Sequence, residues 1–458
     1  MGAYGQRLDL FDGRQPDLPL RSWVLGSPID HTVDSHPEVQ AVVAELMVRF
    51  GVTQVVVSSL IGHGLDVLRT GLPTTVVCHD HHPFCVALYA HFPAEGGECR
   101  QCDAGRLARC LSHNPGHRFF PTATAPQWLA LRQAFVRTLL ATRPTLVAPV
   151  PSVRARWQSQ MPELLGLDWQ VIGHGLDRPA CPTAAPPTLP AGGQRWRLVV
   201  VGRLSEEKGL ALLQALGPAL AARVEWTLLG CGEGDVAFTA GAPVHRVPHF
   251  QAHELPALLG ASRSHVGLVL SQVPETFSFV LSELWACGVP VLASRMGALA
   301  DRVEHGVNGW LVAPEAEPVR LQLQWLMDSP EGQAAWATVL QNVRAQAVHG
   351  LQDMHRQYLN LPSWAEPPGG RWVSVLARQG AAAQGAEATA SVGGTNTAWI
   401  AGVMYVKPES TWRQAAYAFV RFTVSKLLNS PRLPAGLQAW RLRRLQAQRR
   451  DQSKASRG

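Results

Sequence analysis

The sequence predicts an α/β protein built as two parallel-sheet lobes facing a central cleft. Three observations predict it. Short strands that are apolar throughout alternate with segments of helical spacing, that alternation runs twice, and a Pro- and Gly-rich stretch separates the two runs. The bulk composition allows it: 458 residues suffice for two or three domains, and 46% hydrophobic against 16% charged residues supports a sizeable core.

In the first run, Val55–Leu60 and Thr74–Cys78 have the composition of buried strands. Val39–Phe50 and Trp128–Leu140 have helical spacing and length, and Thr145–Val150 and Gln170–Ile172 are further strands. The stretch Cys181–Gln194, with four prolines and two glycines, is the expected linker. The second run is clearer. It reads strand Leu198–Val201, helix Ala211–Leu220, strand Trp226–Leu229 and helix Glu254–Leu259. Strand Val266–Leu270, helix Ser278–Cys287 and strands Val289–Ala293 and Trp310–Val312 follow. Two such sheets give twin Rossmann-like lobes, whose ligands bind at the carboxyl ends of strands. The expected domains are a first lobe over 1–180 with a Cys-rich insert at 85–110, the linker 181–194 and a second lobe over 195–350. A connector and low-complexity linker over 351–397 and a basic helical extension over 398–458 complete the chain. In that extension Trp412–Leu428 is the helix candidate, expected to pack back on the first lobe.

The net charge of +7 is local. Residues Arg432–Gly458 hold seven Arg and one Lys against one Asp, so the tail alone carries it and the basic balance says nothing of the lobes. Leu437, Trp440, Leu442 and Leu445 interleave with those arginines, a pattern that suits peripheral contact with anionic lipid. Nucleic-acid binding would leave both lobes unexplained and is not expected. The longest apolar patches, such as Ala398–Val406, fall short of the ~20 residues a bilayer crossing needs, and Met1–Pro16 has no apolar stretch of a secretory signal. A cytoplasmic protein, at most peripheral at the inner face of the membrane, is expected.

Candidate chemistry concentrates in the second lobe. VVVGRLSEEKG (Val199–Gly209) ends a strand at Gly202, where a ligand can approach the backbone, and sets Arg203 and Lys208 in the next turn. A forked and a point cation there suit a diphosphate. Farther on, Glu275 precedes a helix expected to begin near Thr276–Ser278, and Glu283 lies eight residues later within it. Free amides at that helix start suit an anion or a sugar edge, and the two acids suit sugar hydroxyls.

The segment PETFSFVLSE, followed by ACGVPVLAS and GALADRVEHGVNG, resembles the E-x7-E signature of the retaining family-4 (group 1) glycosyltransferases of GT-B fold. VGRLSEEKG resembles their diphosphate loop, and LLGCGEG and HFQAHELPALL match the elements between; about 160 residues are covered. The resemblance implies that Arg203 and Lys208 hold the donor diphosphate, Glu283 the ribose and Glu275 the transferred sugar. The Phe277 and Ser278 amides would face the sugar or distal phosphate, and Gly297 would line the nucleoside pocket. His79, in the His79-Asp80 pair ending the strand TTVVC, looks like the family's histidine near the anomeric centre. The implied activity is sugar transfer, with retention, from a nucleotide-diphosphate sugar to the hydroxyl of a glycan or glycolipid. No cofactor is required for it, since the two cations neutralise the diphosphate. The rival is a non-catalytic nucleotide-sugar or glycan binder of the same fold within a larger assembly. What favours that rival is Met1–Leu20, where relatives open with a strand and Gly-rich loop. Here neither is expected, and the first strand is placed at Ser22–Leu25.

Five of the eight cysteines fall within Cys78–Cys110. Cys85, Cys99, Cys102 and Cys110, spaced C-x13-C-x2-C-x7-C, could bind a structural zinc through four soft ligands; reduced thiols are the alternative.

Overall fold

A computed structural model of the chain describes residues 5–12, 15–176, 186–191, 194–361, 363, 373–378 and 401–405. Residues 181–185 and 192–193 of the expected linker fall outside these residues, as do the helix candidate Trp412–Leu428 and the basic tail.

The second lobe follows the sequence pattern closely. Its six strands are all parallel, in the order Val244–Val247, Val224–Leu229, Trp196–Val201, Val266–Val269, Val291–Ser294, Gly309–Val312. The central strands are apolar because helices cover both faces. Leu212, Leu213, Leu216 and Leu220 of helix Leu210–Leu220, and Val319, Leu323 and Leu326 of helix Ala316–Asp328, are buried in one core with Leu198, Val266 and Val291. Gly217 is needed on the first of these helices, since a Cβ there would stand 2.9 Å from the Ala240 Cα.

The first lobe has a parallel half of four strands, ordered Trp169–Val171, Thr145–Ala148, Thr74–Val77, Val55–Val57. Beyond Val55–Val57 the sheet turns antiparallel. Ala401–Tyr405 pairs with it (Val403 opposite Val57), then come Val373–Arg378, Arg7–Asp12 and Gln15–Val24.

Three expectations are corrected by this half. Arg7–Asp12 is a strand, so the first lobe does not lack one near its start. Leu8 and Leu10 alternate into the core, and the buried Asp9 is compensated by Arg7 at 2.8 Å and the Ser22 hydroxyl at 2.6 Å. It is followed by an antiparallel return, not by a crossover to a helix. The 351–397 region is not only a linker: Leu351–Leu359 is a helix and Val373–Arg378 a strand. The 398–458 extension is not wholly helical either, since Ala401–Tyr405 is extended.

It is helix Leu351–Leu359 that crosses back to the first lobe. Leu351, Met354 and Tyr358, at i, i+3 and i+7, are buried against Val56, Val77, Val147 and Ile172 of that sheet. The outgoing and returning chain meet where Leu176 N donates to His349 O at 2.9 Å and Leu351 N to Leu176 O at 3.3 Å. A Cβ on Gly175 would lie 2.5 Å from Gly350 O, so this crossing admits only glycine. Among the described residues no helix is long and apolar enough to cross a membrane.

Candidate functional site

The site forms where the carboxyl ends of the two sheets meet. Strand Trp196–Val201 ends at Gly202, whose φ of +83° turns the chain into the loop bearing Arg203 and Lys208. That loop closes as a single 3-10 turn, Glu206–Lys208, and is seated by Gly209 on the neighbouring strand's end. Gly209 has φ +90°, and a Cβ on it would stand 2.3 Å from Leu270 O. Glu207 O in turn accepts from Gln272 N at 2.8 Å and the Ser271 hydroxyl at 3.2 Å. The loop after Val266–Val269 is thereby tied to the loop after Trp196–Val201.

Four residues farther on, Glu275 meets the first loop directly: Lys208 Nζ lies 2.8 Å from Glu275 Oε1. Burial opposes ionisation of Glu275, but the Lys208 ammonium and hydrogen bonds from Ser278 and Ser271 outweigh it and hold the carboxyl below its usual value. The acid is therefore charged at neutral pH, with its cation half-exposed beside it.

The helix after Glu275 begins at Phe279, later than expected, and Ser278 caps it with a left-handed φ of +68°. Phe277 and Ser278 consequently precede the first turn. The Phe277 side chain is buried in the first lobe's core and stacks edge-on against His174 at 4.8 Å. Val280 Cγ2 would be 3.4 Å from a Cβ on Gly202, and Glu283 lies one turn farther along the same helix. Burial alone raises its carboxyl to about 7. Gly297 sits behind Glu275: a Cβ there would lie 2.7 Å from Glu275 O, and Ala298 N donates to that oxygen at 2.8 Å. Gly297 therefore packs closely on the Glu275 backbone.

Across the lobes, His79 follows strand Thr74–Val77, and its carbonyl accepts from the Thr276 hydroxyl at 2.7 Å. His79 Nε2 lies 3.9 Å from Asp80 Oδ2. The histidine is thus held one residue away from Glu275, although they are almost two hundred positions apart in sequence. Arg203 is exposed and forms no ion pair among the described residues.

Sequence reasoning missed Arg302. Its guanidinium lies 3.9 Å over the Phe277 ring and donates to Phe277 O (2.6 Å), Ser278 O (2.8 Å) and Ser282 Oγ (2.6 Å). Burial lowers it to about 10. It pins the turn between Glu275 and the helix, and its only signal in the sequence was a place inside GALADRV.

The four insert cysteines line one small cavity with His81, Arg106, Arg132 and Gln160. They are free thiols, and among the described residues no group of three or more His, Cys, Asp or Glu is arranged to hold a metal ion. Cys85 Sγ accepts from Ala90 N (3.3 Å), Cys102 from Arg132 (3.2 Å) and Cys110 from Asn114 (3.2 Å). Burial, with Cys110 and Cys99 nearby, pushes the Cys85 thiol up to about 12.

Residues 195–328 match the family model described as Glycosyl transferases group 1. Over 135 residues the chain is 31% identical to a D-inositol 3-phosphate glycosyltransferase of Arthrobacter sp. (strain FB24), covering 27% of this chain and 32% of that protein. Over 197 residues it is 27% identical to a phosphatidyl-myo-inositol mannosyltransferase of Propionibacterium freudenreichii subsp. shermanii, covering 43% and 50% respectively. The matches therefore span a third to a half of those relatives. Among solved structures, Anabaena Alr3699/HepE in complex with UDP-glucose aligns at 18% identity over 71% of this chain and 82% of that one, with a TM-score of 0.46. A glycosyltransferase from Rickettsia africae ESF-5 aligns at 14% identity over 74% and 83%, with a TM-score of 0.48. The family-model match falls on the second lobe, whose residues 195–328 are similar to the glycosyl transferases group 1.

Proposed function

We propose that the chain transfers a sugar from a nucleotide-diphosphate sugar to a hydroxyl acceptor, a glycan or lipid-linked glycan, with retention at the anomeric carbon. The observation that carries this reading is the Lys208–Glu275 ion pair at the strand ends, with His79 brought to the same place from the other lobe. A diphosphate entering beside Gly202 competes for Lys208 and engages Arg203, and the charge that builds as it departs is stabilised by both cations. Glu275, released from Lys208, accepts from hydroxyls of the transferred sugar. Glu283 takes the paired ribose hydroxyls, ionising as it does so. His79 stands on the acceptor side, where a ring nitrogen can donate to an oxygen at the reacting carbon.

With Glu275 given to the sugar and Glu283 to the ribose, neither is left as a nucleophile. Attack on the face from which the diphosphate leaves is the consistent course, through an oxocarbenium-like transition state. Rate enhancement then comes from holding donor and acceptor together and from the cations.

One observation favours the second reading, a non-catalytic nucleotide-sugar binder. Arg7–Asp12 returns directly as Gln15–Val24, so no Gly-rich crossover loop reaches the site from that strand. The two readings separate in a donor panel of UDP-, GDP- and ADP-sugars. Release of nucleoside diphosphate that Glu275→Gln abolishes supports transfer. Binding without release supports the binder, and no thermal shift with any nucleoside diphosphate overturns both.

A further inference from the structure

The Cys-rich insert does more than cover the first lobe. It is fastened there by Arg156, which donates to Cys99 O (2.7 Å) and pairs with Glu98 (2.5 Å), by Gln160 donating to Cys99 O (2.8 Å) and by Arg132 donating to Cys102 O (2.9 Å). From this fixed base Arg118 contacts the second lobe, and a second side chain packs beside it. Arg118 Nη2 lies 2.6 Å from Glu207 Oε1, immediately beside Lys208, and its Nε is anchored on Pro115 O at 2.9 Å. The neighbouring His117 ring bridges Leu111 O and Phe120 O, each at 3.1 Å, which fixes the segment.

Tyr89 is the second. It is flanked by two non-glycine residues in the left-handed region, Leu88 (φ +67°) and Ala90 (φ +51°), a costly backbone that holds its ring out of the insert's own core. The ring packs on Phe119 at 6.5 Å, next to Arg118. Burial raises its phenol, and the charges that act on it are Glu207, Lys208, Arg118 and Arg203, which are those of the diphosphate loop and its clasp.

We propose that Arg118 and Tyr89 form the far wall of the diphosphate site. Arg118 exchanges Glu207 for a phosphate oxygen of a nucleoside diphosphate, and the Tyr89 hydroxyl donates to the same group. This rests on the donor-site reading above. Two ion pairs, Arg118–Glu207 and Lys208–Glu275, keep the cations neutralised until an anion of higher charge arrives. Arg118 and Tyr89 are positioning residues, and they make the site depend on both lobes standing together.

Titration of UDP, GDP and ADP into the full chain, at low and high salt, tests this. For whichever nucleotide binds the wild type, Arg118→Ala weakens affinity about tenfold and flattens the salt dependence, and Arg118→Lys recovers part of the loss. Tyr89→Phe weakens it by a smaller factor. Glu207→Gln, which frees Arg118, binds at least as tightly as wild type, and thermal unfolding of each variant confirms that it folds. Unchanged affinity in Arg118→Ala overturns the proposal while leaving the donor site standing. So does a Glu207→Gln variant as weak as Arg118→Ala, because the pair would then be a structural clasp only. A wild type that binds none of the three overturns the donor site and this proposal together.

Discussion

Glu283 is an acid whose surroundings give it no counter-charge, and that makes its cost measurable. Burial raises its carboxyl from its ordinary 4.5 to about 7 in the folded chain. A raised acid favours folding only while protonated, so stability declines as pH rises from about 4.5 and levels off above 7. Glu283→Gln removes that dependence. The variant is expected to match wild type near pH 4 and to exceed it by about 3 kcal/mol near pH 8 in urea unfolding, from the size of the shift. Equal stabilities at the higher pH would show that the acid is not desolvated. Arg302 carries the opposite kind of cost, a buried cation satisfied by three acceptors and a ring face. Lysine cannot reproduce the planar fork or the stack, so Arg302→Lys is expected to lose about 2 kcal/mol and to weaken nucleotide binding by loosening Ser278. A variant as stable as wild type would deny Arg302 its pinning role.

At the scale of elements, the site depends on loops seated by glycines on adjacent strand ends. Gly209→Ala drives a methyl to 2.3 Å from Leu270 O at a φ of +90°, and Gly297→Ala drives one to 2.7 Å from Glu275 O at +50°. Neither contact is with a side chain that can swing away. Each variant is expected to lose about 2–4 kcal/mol, and the Lys208–Glu275 pair should loosen in both. Chemical denaturation checks the stability, and nucleotide titration checks the site. Retained affinity in both variants would mean that the loops hold their shape without the glycines. Much of this arrangement was legible in the sequence: strand, turn and helix patterns put Gly202, Arg203, Lys208, Glu275 and Glu283 on the right elements. The start of the helix was misjudged because Ser278 caps it from a left-handed backbone, which a serine does not announce. Arg302 was not legible, since its partners are two carbonyls, a serine hydroxyl and a ring face, and none of them leaves a pattern in the sequence.

For the molecule as a whole, the second lobe could be read almost strand by strand because its sheet is parallel, apolar and built from neighbouring segments. The first lobe could be read mainly in its parallel half; of the other half only Ser22–Leu25, overlapping the end of Gln15–Val24, was expected. Its antiparallel half joins Arg7–Val24 to strands some 350 residues later, a pairing no local pattern records, and Asp9 hides the first strand behind a charge that Arg7 and Ser22 neutralise. The same long-range economy governs how the lobes stay together. Helix Leu351–Leu359 follows the second lobe in sequence but buries its apolar face on the first. Met354 is central to that contact, 5% exposed and with its sulfur 3.3 Å from Gly175 N at the crossing. A charge there would lie against Val56, Val77, Val147 and Ile172 with no partner, so Met354→Asp is expected to cost more than about 3 kcal/mol. The exposed neighbour Gln352→Asp is the control and should cost nothing measurable. Limited proteolysis adds the second readout. If the helix is what returns the chain to the first lobe, Met354→Asp is cut around residues 346–361 much faster than wild type, while Gln352→Asp is cut at the wild-type rate. Equal rates in the two variants would place the bond between the lobes elsewhere, at contacts such as Thr276–His79, Arg118–Glu207 and Phe277 in the first lobe's core.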